Sequence, residues 1–212
     1  MATASRRLIA WTASSVLRDD PLEAFCAAYS RELGDAARIA ARASLKHRLT
    51  LDDIGEKLQY TNGPALHKLW KYHRACSAAA VNGISSRNFV WITPAQATWS
   101  GATSLNCCCS KQSITLGPDR TVWFANSSWN DYIDRALVAL KEQPCSEAIT
   151  SQGILRPSYQ VWMCDECRQR ICGLSEFSRM LGEEIERIVS NVRELLRPPR
   201  YSTDLIFLED PS

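Results

Sequence analysis

Residues 164–196 read CDECRQRICGLSEFSRMLGEEIERIVSNVRELL, a paired-thiol head followed by the longest helical pattern in the chain. Within it Leu174, Phe177, Leu181, Ile185, Ile188, Val192 and Leu195 recur at spacings of three and four, which puts them on one stripe of a helix. Glu183, Glu184, Glu186, Arg187 and Arg193 fall on other faces and read as its wet side. The stripe must pack on something, so the remaining segments are read by what they offer it. Pro198 and Pro199 end the pattern, because proline lacks a backbone donor and its ring clashes with the preceding turn.

The head, Cys164-Asp165-Glu166-Cys167, has the spacing at which a tight turn aims two thiolates at one tetrahedral zinc ion. Cys107, Cys108 and Cys109 form a second thiol cluster. Cys107 and Cys109, one residue apart, can point to the same side of an extended backbone. The expected metal site is therefore a structural zinc held by Cys107, Cys109, Cys164 and Cys167. Two other readings stay open: these thiols are buried and idle, or Cys164 and Cys167 form a redox disulfide. Between those two thiols, Asp165 and Glu166 oppose thiolate formation by like charge. Cys26, Cys76, Cys145 and Cys172 read as core or surface residues rather than ligands.

A chain of 212 residues with 45% hydrophobic and 23% charged residues has the composition of a folded domain able to bury a sizeable core. The formal charge of +2 is too small for a nucleic-acid footprint. Nine cysteines, an odd number and three of them consecutive, fit a reducing compartment, the cytoplasm or nucleus, better than a disulfide framework. Met1 to Leu17 carries Arg6 and Arg7 and no acid, as presequences do, yet Thr12, Ser14 and Ser15 interrupt its apolar run and it reads as an ordinary helix. No apolar run approaches the ~20 residues of a membrane span.

The fold class expected is mainly α: antiparallel helical hairpins, then a Cys-containing irregular region, then the long C-terminal amphipathic helix. Asp20-Pro21 starts a helix, with Leu22, Phe25, Cys26, Tyr29 and Leu33 as its stripe and Gly34 as its stop. Asp35 caps an Ala-rich second helix, Thr50 and Asp53 open a short third, and Asn62-Gly63-Pro64 opens a longer one from Ala65 to about Ala80. Phe25, Tyr29, Leu45, Leu69 and Trp70 are the expected core there. Residues 1–82 thus form a helical-hairpin region and 83–122 an irregular, Cys-rich connection, with Asn88 to Thr93 a candidate strand. Residues 123–200 form a two-helix region with the Cys-x-x-Cys head, and 201–212 a tail. The first of those helices is expected from Trp123 to Lys141, followed by a loop that leads to Pro157.

No enzyme signature of comparable quality is present: no phosphate loop, no Gly-x-Ser-x-Gly, no His-Glu-x-x-His. His73 and Cys76 sit one turn apart, but a buried helix face explains them better than a nucleophile. His67, Lys68, Lys71 and Arg74 with Trp70 and Tyr72 mix basic and aromatic residues as nucleic-acid surfaces do, and equally as a solvated helix flank does.

Asp-Pro-Leu-Glu-Ala-Phe at 20–25, Ala-Ala-Arg-Ile-Ala-Ala-Arg at 36–42, Leu-His-Lys-Leu-Trp-Lys-Tyr-His-Arg-Ala-Cys at 66–76, Trp129 to Ala136, and Cys164 to Cys167 followed by Phe177-Ser178 carry a resemblance. Together they resemble the region after the BTB/POZ domain in the BTB-domain proteins of mushroom-forming fungi. In that family a BTB fold precedes this region. The resemblance implies a non-enzymatic, intracellular protein-interaction role with protein partners; assembly into a homo-oligomer is a further partner reading, which in that family belongs to the BTB fold itself. The alternatives carried beside it are a thiol-disulfide oxidoreductase using Cys164 and Cys167 and a zinc-dependent nucleic-acid-binding protein.

Overall fold

A computed structural model describes residues 19–50, 63–93, 111–160 and 172–192; of Lys111, Gln112, Thr121, Trp123, Phe124, Asn126 and Cys172 the backbone alone is described. The chain is mainly helical. Helix α1 (Pro21–Ser30) starts as its sequence demands: Asp20 Oδ1 accepts from the Glu23 amide at 3.0 Å and Pro21 fills the first turn. Its end differs from expectation. The left-handed residue is Glu32, φ 56°, not a glycine. The Leu33 and Glu32 amides donate to Ala28 O (2.9 Å) and Tyr29 O (3.1 Å), the paired bonds of a Schellman end. Gly34 instead begins α2 (Gly34–Ser44), and Asp35 gives that helix no side-chain cap but pairs with Arg38. The two helices pack on each other, with Ala36, Ala37, Ala40 and Ala41 of α2 buried, because side chains this small allow close approach.

Helix α3 (Gly63–Ser85) is longer than the sequence pattern indicates and carries Leu66, Leu69, Tyr72, His73, Cys76, Ala80 and Ile84 on its buried face. Tyr29 and Trp70, both expected in the core, are half-buried, whereas Phe25, Leu45 and Leu69 are fully buried. The expected helix after Thr50 and Asp53 lies largely outside the described residues.

The stretch from 83 to 122 is not irregular throughout. Strands β1 (Asn88–Phe89), β2 (Lys111–Leu116) and β3 (Thr121–Asn126) form one sheet in the order β1-β2-β3. β1 runs parallel to β2 with Phe89 opposite Leu116, and β2 runs antiparallel to β3 with Ile114 opposite Trp123. Gly117, φ 76°, turns the chain between β2 and β3. Trp123 is therefore a strand residue, and α4 (Ser127–Glu142) begins four residues later than expected. The strand wins because Thr-Val-Trp-Phe is rich in β-branched and aromatic residues and finds a partner strand in Lys111–Leu116.

The expected loop after Pro144 is two short helices, α5 (Ser146–Thr150) and α6 (Gln152–Gln160), so the C-terminal region holds more than two helices. The final helix, α7 (Cys172–Ser190), buries Leu174, Phe177, Leu181, Ile185 and Val189, close to the stripe read from sequence; Ile188 and Val192 lie half-buried at its edge. It packs on α3 and α5. Two glycines make that possible: a Cβ at Gly83 would stand 2.6 Å from Ile188 Cδ1, and one at Gly182 would stand 3.2 Å from Ser146 Cβ. Phe177 is the centre of an aromatic cluster, with ring centroids 4.2 Å from Trp129, 5.4 Å from Phe89 and 6.1 Å from Tyr132. The same hydrophobic core draws on α1, α3, the sheet, α4 and α7.

Candidate functional site: a groove beside α4

The turn after α2 puts Lys46, His47 and Arg48 on the surface. Lys46 reaches Glu147 of α5 and Arg48 reaches Glu142 of α4, and Gln143 Nε2 donates to Lys46 O at 2.9 Å. These contacts bridge the turn to α4 and α5 and leave a hollow of about 560 Å³ between them. Its lining combines the apolar Val138, Ala139, Ala148 and Ile154 with a charged rim of Lys46, Arg48, Arg135, Glu142 and Glu147. Val138 is 60% exposed, one of five large apolar side chains that stand in solvent among the described residues. A second arm of about 290 Å³ shares Lys46, Cys145 and Glu147 and adds Arg42 and Glu186.

Charge is unevenly satisfied along the rim. The hydrogen bond to Glu147 is the main reason the Lys46 ammonium is held above its ordinary range. For Glu147, burial opposes ionisation, but bonds from Lys46, Ser146 and its own backbone outweigh it and hold its carboxyl low. Arg42 bonds Glu186 Oε2 at 2.5 Å and Ser190 Oγ at 2.6 Å, and Glu186 Oε1 accepts from the Ser146 amide at 3.0 Å. Arg135 differs: Nε donates to Ile154 O at 3.2 Å and Nη2 to Ser158 Oγ, both neutral, and no carboxylate among the described residues pairs with it.

The sequence-derived candidates lie elsewhere. Cys107, Cys109, Cys164 and Cys167, with Cys108, fall outside the described residues. The cysteines Cys26, Cys76 and Cys145 are all buried. Burial pushes the Cys76 thiol up to about 12, against smaller opposing pulls from the Tyr72 hydroxyl and Arg42. Burial likewise raises Cys145, which lines the groove, so neither thiol is activated as a nucleophile. His73 is lowered by burial, partly offset by a hydrogen bond to the His47 backbone, and its Nε2 has no partner among the described residues. Among the described residues no group of three or more His, Cys, Asp or Glu side chains could hold a metal ion. No helix among them is long and apolar enough to cross a membrane.

The basic and aromatic run of α3 is largely engaged within the chain. Arg74 lies over the Trp70 ring at 4.9 Å, Lys68 over Tyr29 at 5.3 Å, and His67 stacks on Trp70. Of the three α7 carboxylates read as a wet face, only Glu183 is one. Glu184 is 10% exposed and bonds Arg187 at 2.6 Å, and Glu186 ties α7 to α2 and α5. No single segment signals the groove, since its walls come from residues about 100 positions apart, as Lys46 and Glu147 are. The chain matches no protein-family model, no curated protein and no solved structure.

Proposed function

We propose that this chain is a non-enzymatic protein-interaction module that receives a partner segment in the groove beside α4. The observation that carries the reading is the pairing of an exposed apolar side chain, Val138, with Arg135, a rim cation whose partners among the described residues are neutral. A partner side chain covering Val138 gains hydrophobic free energy, and a partner carboxylate on Arg135 makes a charge-assisted bond that no carboxylate among the described residues makes. Cys76 and Cys145, buried with their thiols pushed up, and the buried His73 support binding rather than covalent chemistry at these positions. The resemblance of residues 20–25, 36–42, 66–76, 129–136, 164–167 and 177–178 to the segment following BTB domains supports the same class of role, in the cytoplasm or nucleus. The test is affinity purification of the full chain beside Val138→Glu and Arg135→Glu variants of unchanged melting temperature. Partners retained by the parent chain should be lost from both variants; an identical set of partners refutes the groove as the docking surface.

A further inference from the structure

We propose that the groove takes the C-terminal end of a partner protein, with the chain-end carboxylate on Arg135 and the aliphatic side chain of the last residue over Val138 and Ala139. The inference rests on the groove being a docking surface, and charge, donor geometry and size point to this occupant.

Charge sets the number of acids at one. Lys46 pairs with Glu147, Arg48 with Glu142 and, in the smaller arm, Arg42 with Glu186. Arg135 is the lining cation that no carboxylate among the described residues meets. A second acid in the occupant would meet Glu142 and Glu147, and like charges oppose it. Geometry prepares Arg135 for that one carboxylate. Its Nε donates to Ile154 O at 3.2 Å and its Nη2 to Ser158 Oγ, and these two nitrogens share one edge of the planar guanidinium. Ser158 is fully buried and outside the lining of the hollow, whereas Arg135 lines it. The adjoining edge, Nη1 with the second Nη2 hydrogen, has no partner among the described residues. It offers the two parallel donors that a carboxylate takes with both its oxygens. Because neutral acceptors already fix the plane of the guanidinium, little side-chain freedom is lost when the carboxylate arrives.

Size selects a chain end over an internal segment. Arg135, Val138, Ala139 and Glu142 share one stripe of α4, and Val138 lies about 4.5 Å further along the axis than Arg135. A terminal residue carries its carboxylate and its side chain on the same Cα, so one residue covers that spacing. A helical turn about 10 Å across and about 5.4 Å long fills about 420 Å³. The hollow, about 560 Å³, therefore takes only about one such turn, or three to four residues. An internal segment has to leave it at both ends past the rim ion pairs, and a chain end has to pass them once.

The experiment passes two pools of N-acetylated random tetrapeptides over the immobilised full chain, one pool ending in a free carboxylate and the other in an amide, and reads the retained peptides by mass spectrometry. Peptides of the acid pool that end in Leu, Ile or Val should be retained about fivefold or more over their amides, the least that a fixed bidentate pair supplies. Arg135→Gln of unchanged melting temperature should erase the difference between acid and amide, and Val138→Glu the preference for an aliphatic last residue. Equal retention of the two pools, retention that follows an internal Asp or Glu, a preference for the acid that survives Arg135→Gln, or no retention overturns the inference, and the comparison of the pools on the parent chain needs no variant to fold. Partner loss in Arg135→Glu and Val138→Glu is read separately, so the groove can survive as a docking surface even if chain ends are not what it takes.

Discussion

Replacing Phe177 by Ala removes the ring on which β1, α4 and α7 converge. The side chain is fully buried, and three aromatic rings stand within 4.2 to 6.1 Å of its centroid. Deleting a buried Phe side chain costs roughly 3–5 kcal/mol from lost transfer energy and the cavity left behind. The ring pairs, each about 0.5–1.5 kcal/mol beyond area, place this site at the upper end. A domain stable by about 5–15 kcal/mol loses a large fraction of its stability to such a change. At about 2–4 °C per kcal/mol for a chain of this size, the melting temperature should fall by about 10–20 °C. A thermal scan measures the shift, and urea unfolding followed by circular dichroism and by tryptophan fluorescence measures the free-energy loss, with the two probes reporting one transition because the core is shared across the elements. Phe177→Leu, which refills most of the space, should lose about half as much. A loss under about 1 kcal/mol in Phe177→Ala, the size of an ordinary substitution, refutes the placement of this ring at the centre of the core.

Four further outcomes are expected. Glu32→Gly should stabilise the chain by about 1 kcal/mol, because Glu32 holds a left-handed conformation that glycine adopts without strain; an unchanged urea midpoint argues against this turn. His73 is lowered in the folded chain, so between that value and about 6.5 the unfolded chain binds the extra proton and stability falls as the pH drops through that window. His73→Gln should shrink the difference in urea midpoint between pH 7.5 and pH 5.5, and an undiminished difference counts against a buried, neutral His73. With its thiol pushed up to about 12, Cys76 should resist iodoacetamide at pH 8 until the chain unfolds, and rapid native alkylation at Cys76 disproves its burial. If Cys107, Cys109, Cys164 and Cys167 hold zinc, the purified protein carries one ion per chain and Cys164→Ser loses it; a metal-free protein whose melting temperature chelators leave unchanged removes that proposal.

The amino-acid sequence by itself determined the elements whose information is local. The Asp20-Pro21 start and the three-and-four spacing along α3 and α7 are written in neighbouring residues, because a helix closes its bonds four residues away and shows its buried face at a fixed period. Residues 113–116 read in sequence as part of the irregular connection, because the alternation of buried Ile114 and Leu116 with exposed Ser113 and half-buried Thr115 is too short to mark a strand without its partner. Tertiary structure decided the rest. Trp123 lies in β3 because Lys111–Leu116 is there to pair with it, and Glu32 carries the turn because the amides beyond α1 find carbonyls at Ala28 and Tyr29. Glu186 was indistinguishable in sequence from its solvated neighbours, yet Arg42 and the Ser146 amide make it a tie between three helices. The groove follows the same rule: a surface formed by residues 46–48 meeting residues 135–154 exists only once the chain has brought together segments that no local pattern connects.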